Sequence, residues 1–265
     1  MTSPSVPSSA YAGDPAQYHR SRGIPPWVLE QAAQRLVAAL PHARAGLEIG
    51  IGTGRVGAPL ARHLPLVGVD LSERMLRFLQ QRVDRPAALS LVLADACRLP
   101  FPQARFDVVI SVHMLHLVAD VDACLREARR VTRPPGWFAL GLLEHAAGSP
   151  VTWAQSLWRR LLLQRGYPAS HPGWRSYAFV QGRLEALGAR LRARLATDPW
   201  VRWLDVREVW RAVRTKRFSP YWGLPPGQHR RLSRQLARAF QQRYGWQPRV
   251  VPDVRRFVWY LYQWS

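Results

Sequence analysis

An apolar stretch, Ala45-Gly-Leu-Glu-Ile49, runs directly into Gly50-Ile-Gly-Thr-Gly54, and this junction constrains the chain more than any other segment. Glycines placed straight after a strand let the backbone approach a ligand closely, and a helix that begins just beyond them presents unpaired N–H groups. The residues that follow repeat the rhythm. Residues 66–70, 89–94, 106–111 and 137–143 read as apolar strands, and 55–64, 72–83 and 121–131 as helices, with Ser72 as an N-cap. Ahead of them, Pro25-Pro26 opens a helix whose Leu29, Ala32, Ala33, Leu36, Val37 and Leu40 recur at helical spacing. Strands that alternate with helices predict a parallel sheet covered on both faces.

The second part of the chain is patterned differently. Residues 151–165, 177–187, 205–216 and 228–244 read as helices, 190–196 and 249–264 as strands, and Ser219-Pro220 and Pro225-Pro226-Gly227 break the region into pieces. Charge divides the same way: residues 1–150 hold 16 basic and 12 acidic side chains, net +4, whereas 151–265 hold 22 and 5, net +17. Ten of the 12 tryptophans also lie after residue 150. Basic charge interleaved with aromatic surface is the footprint of a nucleic-acid binder, and it is equally what a compositional bias toward Arg, Ala and Pro produces. No apolar run reaches the ~18 residues of a membrane-spanning helix. Residues 1–14 lack the charged and apolar regions of a signal peptide, so the chain reads as cytoplasmic with a loose N-terminal tail. Two cysteines, Cys97 and Cys124, support neither a disulfide framework nor a structural metal site.

Two cofactor classes use a glycine run of this kind. Gly52-Thr-Gly-Arg-Val-Gly57 fits the dinucleotide pattern, and Asp70 ends the next strand where the ribose-binding acid is expected, so a nicotinamide cofactor competes. Glu48 separates the two. A carboxylate beside the loop repels a pyrophosphate, whereas S-adenosylmethionine brings a sulfonium and an ammonium against a single carboxylate.

The motifs in order resemble class I S-adenosylmethionine-dependent methyltransferases of the ubiquinone/menaquinone-biosynthesis-like group. Leu47-Glu-Ile-Gly-Ile-Gly-Thr-Gly-Arg55 resembles their first motif, Val67-Gly-Val-Asp-Leu-Ser-Glu-Arg-Met-Leu76 the second, and Ala94-Asp-Ala-Cys-Arg-Leu-Pro-Phe101 the third. Phe106-Asp-Val-Val-Ile-Ser-Val-His-Met-Leu-His116 resembles the fourth, and Arg126-Glu-Ala-Arg-Arg-Val-Thr-Arg-Pro-Pro-Gly136 the helix and turn before the fifth strand. The resemblance implies a Rossmann-like α/β sheet of seven strands, mostly parallel with the last antiparallel, helices on both faces and a helical cap insertion at about 200–245. A flexible arm, 1–26, would precede a single domain, 27–265, with the donor core at 27–145 and the acceptor side at 146–265. Glu48, Gly50, Gly52 and Gly54 would surround the methionine moiety of the donor, and Asp70 would take the ribose hydroxyls. Asp95 and Ala96 would meet the adenine edge, Leu71 and Met75 its faces, and Ser111 would line the methionine side. Tyr18 and Arg22 resemble an arm that approaches the donor's carboxylate.

The acceptor is less legible. Nucleic-acid amino-methyltransferases carry Asn/Asp-Pro-Pro-aromatic after the fourth strand, where this chain has Ser111-Val-His-Met. Base C5 methylation needs a cysteine nucleophile, and Cys97 and Cys124 are not placed for it. His113 and His116 follow the fourth strand, where His116 is the candidate general base and His113 a candidate acceptor contact. Arg217, Ser219, Tyr221 and Trp222 resemble the cap of small-molecule members, which points to a small acceptor, acidic or aromatic. An RNA acceptor and a NAD(P)-binding protein are the alternatives.

Overall fold

The computed structural model describes residues 14–21, 23–82, 84–167, 175–215, 224–245, 247 and 249–264. They fall into two compact units. The larger comprises 14–142, 177–198 and 257–264, and the smaller 143–176 and 199–256.

In the larger unit, β1 (Gly46–Ile49) is flanked in parallel by β2 (Leu66–Asp70) and β4 (Phe106–Val112). Outside them lie β3 (Leu89–Leu93) against β2, and β5 (Thr132–His145) against β4. The full strand order is β3-β2-β1-β4-β5-β8-β6, where β6 (Ala189–Ala196) runs antiparallel to β8 (Val250–Trp264). All four residues of β1 are buried or nearly so, as a central parallel strand requires. Helices α3 (Gly57–Leu60), α4 (Glu73–Gln80) and α5 (Val121–Val131) make the crossovers, with Ser72 and Asp120 capping α4 and α5 through bonds to Met75 N and Ala123 N.

Side-chain alternation along the strands assigns the two faces. Leu47 and Ile49 join a core with Cys124, Leu125 and Ala128 of α5, Val180 and Leu184 of α7 (Tyr177–Ala186), and Tyr262 and Trp264 of β8. The opposite parity of β8 meets α2 (Pro26–Ala39), where the indole of Trp259 donates to the Ala32 carbonyl at 2.8 Å. Glu48 shares that second parity, so its carboxyl group points away from the face of Leu47 and Ile49.

Two elements depart from the expectation. Residues 15–21 of the expected flexible arm form a short helix, α1 (Pro15–Ser21), opened by Asp14, whose carboxylate accepts from Ala16 N and Gln17 N. An eighth strand, β7 (Trp200–Asp205), pairs antiparallel with the first part of β8. Its Trp200 and Leu204 face inward while Val201 and Trp203 stay exposed, a period of two that the surrounding arginines obscure.

The smaller unit packs α6 (Pro150–Leu163), α8 (Val206–Arg214) and α9 (Pro226–Tyr244) around two apolar clusters. Trp158, Leu162, Val213, Leu232 and Leu236 form one, and Ala154, Leu204, Val206, Val209 and Phe240 the other. Five of its buried positions lie on α9 alone, which explains why a helix with five Arg or Gln residues between them still orders. No helix among the described residues is long and apolar enough to cross a membrane.

Gly68, opposite Glu48 on β2, shows how tightly the sheet seats the glycine turn. A Cβ there would lie 2.2 Å from Cδ1 and 3.1 Å from Cβ of Ile51, which is 4% exposed. We expect Gly68→Ala to destabilise the chain by about 1–3 kcal/mol through overpacking. The same change in an Ile51→Ala background should cost less, and equal costs measured by urea unfolding would contradict the contact.

Candidate active site

The turn after β1 is built from left-handed backbone. Gly50, Gly52 and Gly54 have φ of 71°, 56° and 70°, a region that side chains with a Cβ rarely adopt. The amides of Gly50 and Ile51 bond the Val69 carbonyl at 2.8 and 2.9 Å, so the turn is pinned to the end of β2. Asp70 completes the brace: Oδ2 accepts from Gly52 N and Oδ1 from Ser72 N, each at 2.8 Å. Burial pushes the Asp70 carboxyl up, and the backbone N–H groups that it accepts, from Ser72 first and then Gly52, pull it back. Each of these oxygens retains a further lone pair for a hydroxyl donor. Gly52 has no atom within 4 Å of where a Cβ would stand, so the turn is open at its middle.

Beneath the turn sits Glu48, 2% exposed, with Oε2 lacking a hydrogen-bond partner. Burial drives its pKa to about 8, against the opposing pull of Arg55 and with a further push from Asp70. The same oxygen lies 2.4 Å from where a Cβ on Gly57 would be, so any larger residue at 57 would displace the carboxyl. This changes two points of the sequence argument. Gly57, which completes the dinucleotide pattern, is accounted for by the packing of Glu48. At neutral pH the isolated Glu48 is mostly protonated, so repulsion between two standing anions does not separate the cofactors. What favours a cationic ligand is a buried carboxyl group that desolvation holds neutral, because a positive partner would stabilise its charged form.

Ser111, paired in register with Ile49, is fully buried, and its Oγ is a second polar atom without a partner. Just beyond β4, His113 adopts φ 49°, an uncommon conformation for a residue with a side chain. That turn drives Met114 under the glycine loop, 2.2 Å from where a Gly50 Cβ would be. His113 and His116 are both half-buried in the loop before α5. On the other side of Asp70, Leu71 is 60% exposed whereas Met75, on α4, is 2% exposed. Asp95 is exposed and its Oδ1 accepts from Cys97 N at 2.8 Å, holding the turn that buries Ala96. Cys97 is half-buried, its thiol donating to the Asp120 carbonyl, and Cys124 is fully buried.

The N-terminal helix contributes residues that the sequence left unassigned. His19 bonds Thr53 Oγ1 at 3.0 Å and lies 5.8 Å from the ring of Phe78, while Arg82 Nη1 donates to the Thr53 carbonyl at 2.9 Å. The Arg55 guanidinium stands 5.7 Å over the ring of Tyr18. Burial lowers the His19 pKa, and Arg82 and then Arg55 lower it further, so at neutral pH it closes on the loop as a neutral ring. Thr53 and Arg55 lie inside the glycine motif, and Arg82 follows α4. Nothing in their spacing ties them to residue 19, since that contact needs the tertiary fold. Arg22, Arg217, Ser219, Tyr221 and Trp222 lie outside the described residues. No group of three or more metal-ligating side chains occurs among the described residues.

Residues 47–140 match the methyltransferase-domain family. Over 124 residues the chain is 36% identical to 27-O-demethylrifamycin SV methyltransferase of Amycolatopsis mediterranei, covering 43% of this chain and 46% of that one. Over 95 residues it is 39% identical to a fatty-acid O-methyltransferase of Mycolicibacterium smegmatis, covering 35% and 34%. The chain thus spans about half or less of the length of these curated relatives. A solved structure of a putative methyltransferase from Bacillus halodurans shares the fold with a TM-score of 0.56 at 18% identity, over 88% of this chain and 97% of that one. The glycine turn, its Asp70 brace and strands β2 to β4 all lie within the stretch, residues 47–140, that matches the methyltransferase-domain family.

The buried carboxyl group yields a pH prediction. A folded-state pKa raised from 4.5 to about 8 means that the stability associated with neutral Glu48 is complete below 4.5 and lost as pH rises through 8. Glu48→Gln removes that loss. Thermal unfolding of the unliganded proteins should show equal Tm values near pH 4.5 and a variant several degrees more stable at pH 9. A gap that does not change with pH would contradict the assignment.

Proposed function

We propose that this protein transfers a methyl group from S-adenosylmethionine to a small-molecule acceptor. The observation that carries the reading is the orphaned, buried oxygen of Glu48 under an open left-handed turn, since an uncompensated polar atom in the interior is costly unless a ligand completes it. When bound, the cofactor supplies an electrophilic methyl on a sulfonium centre. The residues of the chain do the rest. Glu48 ionises against the cationic amino acid end, Gly52 gives backbone access, and Asp70 accepts from the ribose hydroxyls with the lone pairs that its loop bonds leave. Arg55 and Tyr18 face the carboxylate end, Leu71 covers the base, and Asp95 accepts from the adenine edge beside Ala96. Ser111 offers its unpartnered hydroxyl to the methionine side.

In-line displacement needs mainly positioning, and a base only where the acceptor must first lose a proton. His116, in the loop at the carboxyl end of β4, is the base under this reading, with His113 beside it as an acceptor contact. The relatives named above are methyltransferases of 27-O-demethylrifamycin SV and of a fatty acid, both small molecules, which supports a small acceptor here. We assign acceptor recognition to residues 146–265, including Arg217, Ser219, Tyr221 and Trp222. RNA is the second reading, and the net +17 after residue 150 is the observation behind it.

Calorimetry tests the cofactor first. S-adenosylhomocysteine should bind the wild-type chain and bind Glu48→Ala at least tenfold more weakly, whereas NAD should give no saturable heat. Binding of NAD alone would overturn the proposal. For the second reading, RNA affinity should be absent at about 50 mM salt; a slope of several log units per log salt would favour RNA instead.

A further inference from the structure

The smaller unit, taken by itself, holds a cavity of about 380 Å³ to whose lining residues the methyltransferase reading gives no individual role. Gly148 and Pro150 at the start of α6, Arg243 and Tyr244 at the end of α9, and Arg249 and Pro252 around the start of β8 line it. That volume lies within the range of small-molecule sites, roughly 300–1,000 Å³. No carboxylate lines it. The nearest acid in sequence, Asp253, is fully buried, and its Oδ1 accepts from Ser149 Oγ at 2.7 Å and bonds His145 Nδ1 at 2.9 Å. Its Oδ2 accepts from Arg255 Nε at 2.6 Å. This knot ties the residue between Gly148 and Pro150 to the residue after Pro252, so two walls of the cavity are fixed to each other from behind.

The two arginines are available for a ligand for different reasons. Arg243 is pre-oriented: its guanidinium lies 5.4 Å over the ring of Trp153 and 5.5 Å over that of Tyr244, and its Nε donates to Tyr244 Oη at 3.1 Å. Stacking engages the faces of the group and leaves the edge bearing the terminal nitrogens, which is the side that grips an oxyanion. Arg249 is exposed and makes no ion pair among the described residues. The acids of its own stretch of the chain are engaged elsewhere, since Asp205, Glu208 and Asp253 pair with Arg207, Arg202 and Arg255. They are all the acidic residues between positions 199 and 256.

We propose that this cavity binds a small oxyanionic molecule, gripping its phosphate or carboxylate group between Arg243 and Arg249 with Tyr244 against its body. The inference does not depend on the donor site. Titration calorimetry on the full chain at low salt, with phenyl phosphate and benzoate as probes and inorganic phosphate and acetate as bare-group arms, tests it. We expect one saturable site for at least one bare anion, tighter for its aromatic counterpart; the arms tell phosphate from carboxylate. The paired substitution Arg243→Gln with Arg249→Gln should weaken binding at least tenfold. Arg230→Gln with Arg234→Gln, which removes the same charge from exposed positions of α9, should leave it within twofold. Absence of saturable heat for all four probes, or parallel losses in both paired variants, would overturn the proposal. So would displacement of the probe by an RNA oligomer whose own affinity falls equally in both, because that outcome describes a diffuse basic surface.

Discussion

Glu48 stands on a central strand, between neighbours that leave its carboxyl group no water and its Oε2 no hydrogen-bond partner. Charging it there without a partner costs a sizeable share of the folding free energy, so at neutral pH the group mostly keeps its proton in the unliganded chain, at a pKa of about 8. The surrounding sequence is shaped by this carboxyl. Gly57 lacks a side chain because the carboxyl occupies that space, and Gly68, the register partner of Glu48, is packed by Ile51 instead. Asp70, the second acid of the site, is brought to the turn by β2 and engages its amides, so the loop is shaped before any ligand arrives.

That arrangement links fold to function through strand order. A parallel sheet with β1 between β2 and β4 places the ends of those strands side by side. Glu48, Asp70 and Ser111 therefore meet at one edge although 63 positions separate the first from the last. Open parallel sheets bind ligands at the carboxyl ends of their strands, where the order reverses direction. Here that point lies between β1 and β4, and it carries the two buried polar atoms without partners, Glu48 Oε2 and Ser111 Oγ. The left-handed backbone of His113 lies just beyond the end of β4.

Much of this was legible in the sequence because periodicity and punctuation act locally. The strand at 66–70 and the helix at 121–131 have the expected limits, because a short apolar run marks the one and the pattern of apolar side chains the other. The ordered motifs located the glycine turn and its acids. Three features escaped. Strand β7 was hidden because arginine and aspartate occupy positions that a simple strand pattern gives to small polar residues, making eight strands where seven were expected. Helix α1 was read as part of a loose arm because His19 finds its partner, Thr53, 34 positions away. The protonation of Glu48 was missed because a letter conveys charge and not burial. Sequence treated it as a standing anion, whereas its environment makes it a conditional one.

The central claim is that Glu48 gives up its proton when the cationic end of the donor arrives. Calorimetric titration of S-adenosylhomocysteine at neutral pH, repeated in buffers of different ionisation enthalpy, measures the protons exchanged on binding. The account predicts that the wild-type chain releases close to one proton more than Glu48→Gln, whose amide has none to lose. Equal proton exchange by the two proteins would contradict it.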